Sequence, residues 1–166
     1  MLKLVCPNNL FNRLFLFRFC HPDVLDDQKI LGQIFRTWLG AYIIVDNQKY
    51  IIKYKEQKLF LLKDNAEVLS VNLPLKLLDF LNVSRSSNFN YNGDEYKIEY
   101  SYKNLNRFDP KVLLYKNNIV LGEFQKESEW SINWNSNIPA LEPSFISIFI
   151  SYLFFELYLD EHRRGE

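Results

Sequence analysis

Apolar and polar residues alternate along short segments over most of the chain, which is the pattern of half-buried β-strands. The alternation is clearest at residues 29–37, and two further strands are predicted at 42–45 and 49–55, on either side of the turn Asp46-Asn47-Gln48. Further segments with strand composition lie at 2–5, 14–19, 59–63, 67–71, 89–91, 96–102, 112–115, 119–124 and 130–134. Short strands that recur about every ten residues predict an antiparallel sandwich or barrel.

Three stretches interrupt this pattern. Residues 74–83 begin with Pro and place Leu75, Leu78 and Leu81 at helical spacing, which predicts a short amphipathic helix. Residues 21–27 and 84–88 are mostly polar, so we expect loops there, and the second loop is the best candidate for a mobile segment. Asn92-Gly93, between the strands at 89–91 and 96–102, is the strongest hairpin signal in the chain.

The segment 145–159 differs in kind, because apolar residues cover nearly every face of a helix drawn through it. Arg163, Arg164 and Gly165 follow it as helix stop signals. A helix of this length spans about 22 Å, which is shorter than the hydrocarbon core of a bilayer at about 30 Å. Ser147, Ser151 and Glu156 are also unfavourable inside a bilayer. The sequence therefore predicts a C-terminal helix that is enclosed by the rest of the protein.

Composition narrows the class of protein. The 166 residues fit a single domain, 1–166, and the aromatic share of 16%, with 14 Phe and 10 Tyr, favours β-structure. Twenty basic and twenty acidic residues cancel, which argues against binding nucleic acid by bulk charge. Two cysteines are too few for a disulfide framework, and Pro7 and Arg13 interrupt any secretion signal. We therefore expect a cytoplasmic protein.

Two stretches resemble a known family. Residues 31–38 (Leu-Gly-Gln-Ile-Phe-Arg-Thr-Trp), followed by Tyr-Ile-Ile at 42–44, look like a strand with a Gly, a basic residue and a Trp before a short turn. Residues 115–124, followed by the apolar helix, look like the closing portion of the same fold. Together they resemble the tubby C-terminal-like superfamily, which includes the tubby proteins, the phospholipid scramblases and the LURP-one-related proteins. The resemblance implies a mainly β fold, an antiparallel barrel of short strands wrapped around one hydrophobic C-terminal helix.

The chain carries no recognisable catalytic motif. It has no Gly-x-Ser-x-Gly, Walker or His-Glu-x-x-His pattern. Cys6, Cys20 and His21 lack the spacing of a zinc site. We therefore expect neither an enzyme nor a metal or cofactor site.

Lysines are concentrated in one predicted strand. Lys49, Lys53 and Lys55 fall on one face of residues 49–55, and Tyr50, Ile52 and Tyr54 fall on the other. These lysines either form a phosphate-binding patch or protect the outer face of a barrel strand, and we prefer the second interpretation. Tubby proteins bind phosphoinositides through a basic pocket, but the residues of that pocket have no one-to-one match here.

Trp38, Arg85 and Trp130 are the candidate anchors for a protein partner, because Trp and Arg are enriched at interface hot spots. Trp130 and Trp134 share a strand face, and packing in the core is the preferred interpretation for them. The resulting hypothesis is a non-catalytic, cytoplasmic protein-binding module of the immunity or adaptor type. The alternative is binding of a phospholipid or phosphoinositide headgroup through Lys49, Lys53 and Lys55, and peripheral membrane contact is not favoured.

Overall fold

The computed structural model describes residues 1–6, 21–37, 40–56, 58–73, 84–102, 110–126 and 134–162, with the backbone alone at 84–85, 100–102, 110–111, 126 and 157–162. These residues form twelve strands and one helix. The strands are β1 (Leu2–Val5), β2 (Asp23–Asp26), β3 (Lys29–Thr37), β4 (Gly40–Val45), β5 (Gln48–Lys55), β6 (Lys58–Lys63), β7 (Ala66–Asn72), β8 (Ser84–Tyr91), β9 (Asp94–Tyr102), β10 (Pro110–Lys116), β11 (Ile119–Lys126) and β12 (Trp134–Ser136), and the helix is α1 (Ser144–His162).

Each strand pairs antiparallel with the next one along the chain, and β12 pairs with β1. The sheet is therefore a closed antiparallel barrel. The strand pattern alone did not distinguish a barrel from a sandwich, whereas the family resemblance implied a barrel. The two-residue turns after β4, β6, β8 and β10 have positive φ at both central residues, the geometry that suits the twist of a hairpin. Asn, Asp and Gly occupy these positions because they tolerate this conformation. Since strand direction alternates, these turns share one end of the barrel, which we call the tight-turn end.

Side chains alternate between the inside and the outside of the barrel along each strand. Leu59 and Leu61 of β6, Tyr96 and Ile98 of β9, and Val112 and Leu114 of β10 are buried, as the period of two along a strand requires. Gly32 of β3 also faces inward. A side chain there would collide with the carbonyl oxygen of Ile44 and with Ile148 of α1, so glycine lets the strand and the helix approach each other closely.

The helix fills the barrel. Residues 145–155 of α1 are all buried, so the prediction of an enclosed C-terminal helix is confirmed. The ring of Phe154 stacks on Phe124 at 4.4 Å and meets Trp134 edge-on at 4.6 Å, which joins α1 to β11 and β12. Among the described residues, no helix combines the length and the apolarity that a membrane crossing requires.

The two buried serines of the helix, Ser147 and Ser151, make hydrogen bonds, so their burial leaves neither hydroxyl unpaired. Ser147 Oγ accepts from the backbone N–H of Leu141 at 2.6 Å and lies 3.2 Å from the carbonyl oxygen of that residue. Ser151 Oγ donates to the carbonyl oxygen of Ser147 at 2.9 Å. These bonds offset the desolvation of the hydroxyls, which otherwise costs about 1–3 kcal/mol each.

Two predicted loops are strands in the structure. Residues 84–88 belong to β8 and pair with β9 from Ser84↔Ser101 onward. Within residues 21–27, Asp23–Asp26 form β2, which pairs with β1 on one side and β3 on the other. In both cases the pairing of neighbouring strands outweighs a weak intrinsic preference for strand, since β propensity depends mainly on context.

Other predicted elements are only partly within the described residues. The last described strand is Trp134–Ser136. Trp134 is buried and contacts the helix, which agrees with the prediction that it packs in the core. Trp130, the predicted strand at 14–19 and the predicted short helix at 74–83 lie outside the described residues.

Candidate binding surface

The three candidate lysines lie together on the outer wall of the barrel. Lys49, Lys53 and Lys55 are exposed, whereas Tyr50 and Ile52 between them are buried in the core. The prediction that the lysines share one strand face is confirmed. The remaining member of the opposite face, Tyr54, is 57% exposed and does not join the core.

The wall that holds these lysines carries an apolar row. Phe35 of β3 is directly opposite Tyr42 of β4, Tyr42 is opposite Ile51 of β5, and Ile51 is opposite Leu62 of β6. We call these four residues the outer row. At about 4.8 Å between strands, the row is about 14 Å long.

The outer row is packed laterally and remains accessible to solvent. The rings of Phe35 and Tyr42 stack at a centroid separation of 4.7 Å, and the His21 ring lies 5.1 Å from the Phe35 ring, tilted by 37°. Ile51 is 37% exposed, and the other three members are half-buried. An antiparallel sheet that faces water normally presents polar side chains there. A run of apolar residues across four strands departs from that pattern.

Cations flank the row on both sides. Lys49 Nζ lies 4.0 Å from the centroid of the Tyr42 ring, a cation–π contact worth about 0.5–1 kcal/mol at an exposed site. Lys53 lies on the other side of Ile51 along β5 and is directly opposite Phe60. Within the described part of the chain, no ion pair joins Lys49 or Lys53 to a carboxylate, whereas Lys55 lies 3.6 Å from Glu56.

The geometry of the lysines bears on the kind of anion they can hold. Lys49 and Lys53 are four residues apart in an extended strand, so their Cα atoms are separated by about 13 Å. Lys53 and Lys55 are only two residues apart, about 7 Å between their Cα atoms, so one phosphate group can contact both. The three lysines therefore suit an extended acidic surface, and the pair Lys53 and Lys55 also suits one compact headgroup.

A half-buried ion pair joins the wall to the helix. Arg36 Nε lies 2.6 Å from Glu156 Oε1, and the two side chains are 14% and 28% exposed. Burial raises the pKa of Tyr152 well above its usual value, and the neighbouring Glu156 carboxylate adds to the rise through its charge and a hydrogen bond. The ion pair ties β3 to α1.

Sequence reasoning missed both the outer row and this ion pair. The signal for the ion pair was an Arg on the inward side of β3, two residues from Ile34, together with an acidic residue in an apolar helix. The signal for the outer row was the absence of polar residues at the outward positions of residues 42–45 and 50–52.

The role of the candidate partner-binding residues, Trp38, Arg85 and Trp130, stays a prediction. Trp38 and Trp130 lie outside the described residues, and Arg85 is placed in β8 opposite Tyr100 by its backbone alone. In the described part of the chain, no three His, Cys, Asp or Glu side chains are grouped so as to hold a metal ion.

No protein-family model matches the chain, and no curated protein or solved structure matches it at a significant level. What the structure shares with the tubby C-terminal-like superfamily is the architecture, a closed antiparallel barrel with one C-terminal helix.

Proposed function

We propose that this protein is a non-catalytic binding module whose outer row docks a protein partner, in the manner of a cytoplasmic immunity or adaptor protein. The observation that carries the proposal is the apolar row of Phe35, Tyr42, Ile51 and Leu62 on the outer wall of the barrel. Protein interfaces commonly combine an apolar, aromatic centre with a polar rim. Here the row supplies the centre, and Lys49 and Lys53 supply a cationic rim.

The chemistry of the wall defines the partner. Tyr42 is a suitable anchor because it is held between Phe35 and the ammonium group of Lys49, so little side-chain freedom is lost on binding. The two lysines favour carboxylates at the edge of the partner surface. We therefore propose a partner with an apolar patch that is bordered by acidic residues.

A second candidate function is binding of anionic phospholipid headgroups. The observation in its favour is that Lys49, Lys53 and Lys55 share the outer face of β5. Membership of the tubby C-terminal-like superfamily, which we also propose on the architecture, would support it. The zero net charge of the chain is against it.

The first experiment is a comparative capture from the native cytoplasm. Wild-type protein and an Ile51→Ser, Leu62→Ser double variant are immobilised, and the retained proteins are quantified by mass spectrometry. Ile119→Ser is the matched control, because Ile119 is 69% exposed on β11, away from the row. We expect a partner that wild type and the control retain equally and the double variant loses.

The second experiment measures affinity for that partner once it is purified. Tyr42→Ala is expected to weaken the complex tenfold or more, about 1.4 kcal/mol, with an unchanged fold by circular dichroism. Equal affinity of Tyr42→Ala and wild type would contradict the proposed docking surface.

Liposome co-sedimentation tests the second candidate. Vesicles rich in phosphatidylserine, with and without a phosphoinositide, are mixed with wild type and with a Lys49→Gln, Lys53→Gln, Lys55→Gln triple variant. Binding at low salt that the triple variant loses would favour the lipid function. Phosphate contacts are weakened by salt, since the Debye length is only about 8 Å at physiological ionic strength. We expect no binding by either protein.

A further inference from the structure

The wall opposite the outer row carries a second apolar patch. Five strands separate β4 from β10 in either direction around the barrel, so these two strands lie on opposite walls. Leu113 and Tyr115 are on the outward side of β10, because Val112 and Leu114 are buried inside the barrel. Tyr115 is directly opposite Val120 of β11, which is 52% exposed. We call Leu113, Tyr115 and Val120 the β10 patch.

Carboxylates border the β10 patch. Leu113 is directly opposite Glu99 of β9 on one side and Glu123 of β11 on the other. The Glu99 carboxylate forms an ion pair with Lys97, with 2.5 Å between Oε2 and Nζ, and the Glu123 carboxylate accepts a hydrogen bond from the side-chain amide of Gln125. Two carboxylates and one ammonium group leave this border with a formal charge of −1.

The rim of the outer row has the opposite charge. Lys49 and Lys53 form no ion pair with the described residues, so together they give the row a formal charge of +2. Row against row would bring lysines together, and patch against patch would bring glutamates together, whereas row against patch joins opposite charges. The chain as a whole has zero net charge, so no long-range repulsion keeps its copies apart.

We propose that the outer row of one copy of this chain docks on the β10 patch of a second copy. This inference rests on the proposed function of the outer row, for which it names a partner. The contact joins two different surfaces, so each pair of copies leaves one row and one patch free. Because the two surfaces lie on opposite walls of the barrel, further copies add in a line, and the assembly is an open chain of barrels.

Sedimentation velocity of the intact protein tests the association. We expect the sedimentation coefficient of the wild type to rise with concentration, up to about 1 mM, and to exceed that of a dimer. The Ile51→Ser, Leu62→Ser double variant removes the row, and Val120→Arg places a cation where the lysines of the next copy must approach. We expect each of these variants to remain monomeric over the same range, with the circular dichroism spectrum of the wild type.

Ile119→Arg is the matched control for Val120→Arg. Ile119 precedes Val120 in β11 and is more exposed, at 69%, but consecutive residues of a strand point to opposite faces, so Ile119 is not part of the β10 patch. We expect Ile119→Arg to associate as the wild type does. Loss of association in Ile119→Arg equal to that in Val120→Arg overturns the assignment of the β10 patch.

Mixing the two monomeric variants tests the head-to-tail arrangement. The double variant keeps its β10 patch and Val120→Arg keeps its outer row, so an equimolar mixture should form a dimer and nothing larger. No dimer in the mixture, association of either variant alone, or a wild type that stays monomeric at about 1 mM overturns the proposal.

The capture experiment separates this inference from the proposed function. If the wild type is monomeric but the Ile51→Ser, Leu62→Ser variant still loses a captured protein, self-association is overturned and the docking role of the outer row stands. If that variant loses neither a captured protein nor the association seen in the wild type, the outer row is not a docking surface and both proposals are overturned.

Discussion

Replacement of Phe154 by Ala is the most direct test of the helix-filled barrel. Phe154 is fully buried, stacks on Phe124 and meets Trp134 edge-on, so it joins α1 to the two strands that precede the helix. Truncation of a buried Phe to Ala costs about 3–5 kcal/mol, because the lost transfer free energy adds to the cost of a cavity. Two aromatic contacts are lost here, which favours the upper part of that range.

A loss of about 4 kcal/mol is large against the total stability of a domain, about 5–15 kcal/mol. At about 2–4 °C per kcal/mol for a chain of this size, the melting temperature should fall by about 8–16 °C. The measurement is urea unfolding followed by far-UV circular dichroism, with tryptophan fluorescence as the second probe because Trp134 contacts the ring.

Two further variants define the comparison. Phe154→Leu keeps most of the volume and should cost less than about 1.5 kcal/mol. Ile119→Ala truncates an apolar side chain at an exposed site and should change stability by less than about 0.5 kcal/mol. If Phe154→Ala costs no more than Ile119→Ala does, the helix is not enclosed by the barrel and the reasoning fails.

Three other expectations follow from the packing inside the barrel. Gly32→Ala should lower the free energy of unfolding by about 1–3 kcal/mol, and with it the melting temperature, because the new Cβ collides with a backbone oxygen and with Ile148. If the variant is as stable as the wild type, β3 and α1 do not approach each other closely at Gly32. Glu156→Gln should lower the free energy of unfolding in urea by about 1–2 kcal/mol, since it leaves the half-buried Arg36 without its charged partner. Replacing both members of the pair, Arg36→Met with Glu156→Leu, should recover part of the loss. The raised pKa of Tyr152 means that its contribution is fully present below its unfolded pKa of 10.0 and is lost as pH rises toward the higher folded value. Stability measured between about pH 9 and pH 11 should therefore fall more for wild type than for Tyr152→Phe, and parallel losses would show that the phenol is not buried as described.

The local sequence was sufficient for the elements whose signals are local. Alternation placed β3, β5 and β9, and Asn92-Gly93 placed the hairpin turn, because a period of two and a positive φ are properties of neighbouring residues. The apolar helix was assigned to the interior because a helix that is apolar on all sides and too short for a bilayer has no other stable place.

The sequence failed where a strand is defined by its neighbours. Residues 84–88 and Asp23–Asp26 lack a strand signal of their own, and they are strands because β9, β1 and β3 pair with them. The lysine face of β5 was predictable from alternation, but its relation to the apolar row was not.

Only the tertiary structure decided which outward residues meet. The outer row exists because the register of β3 to β6 brings Phe35, Tyr42, Ile51 and Leu62 opposite one another. Register is fixed by closure of the barrel around the helix, which depends on contacts between residues far apart in the chain. The sequence by itself therefore determined most of the strands, their hairpin turns and the buried helix, and the folded barrel determined which outward residues meet on its wall.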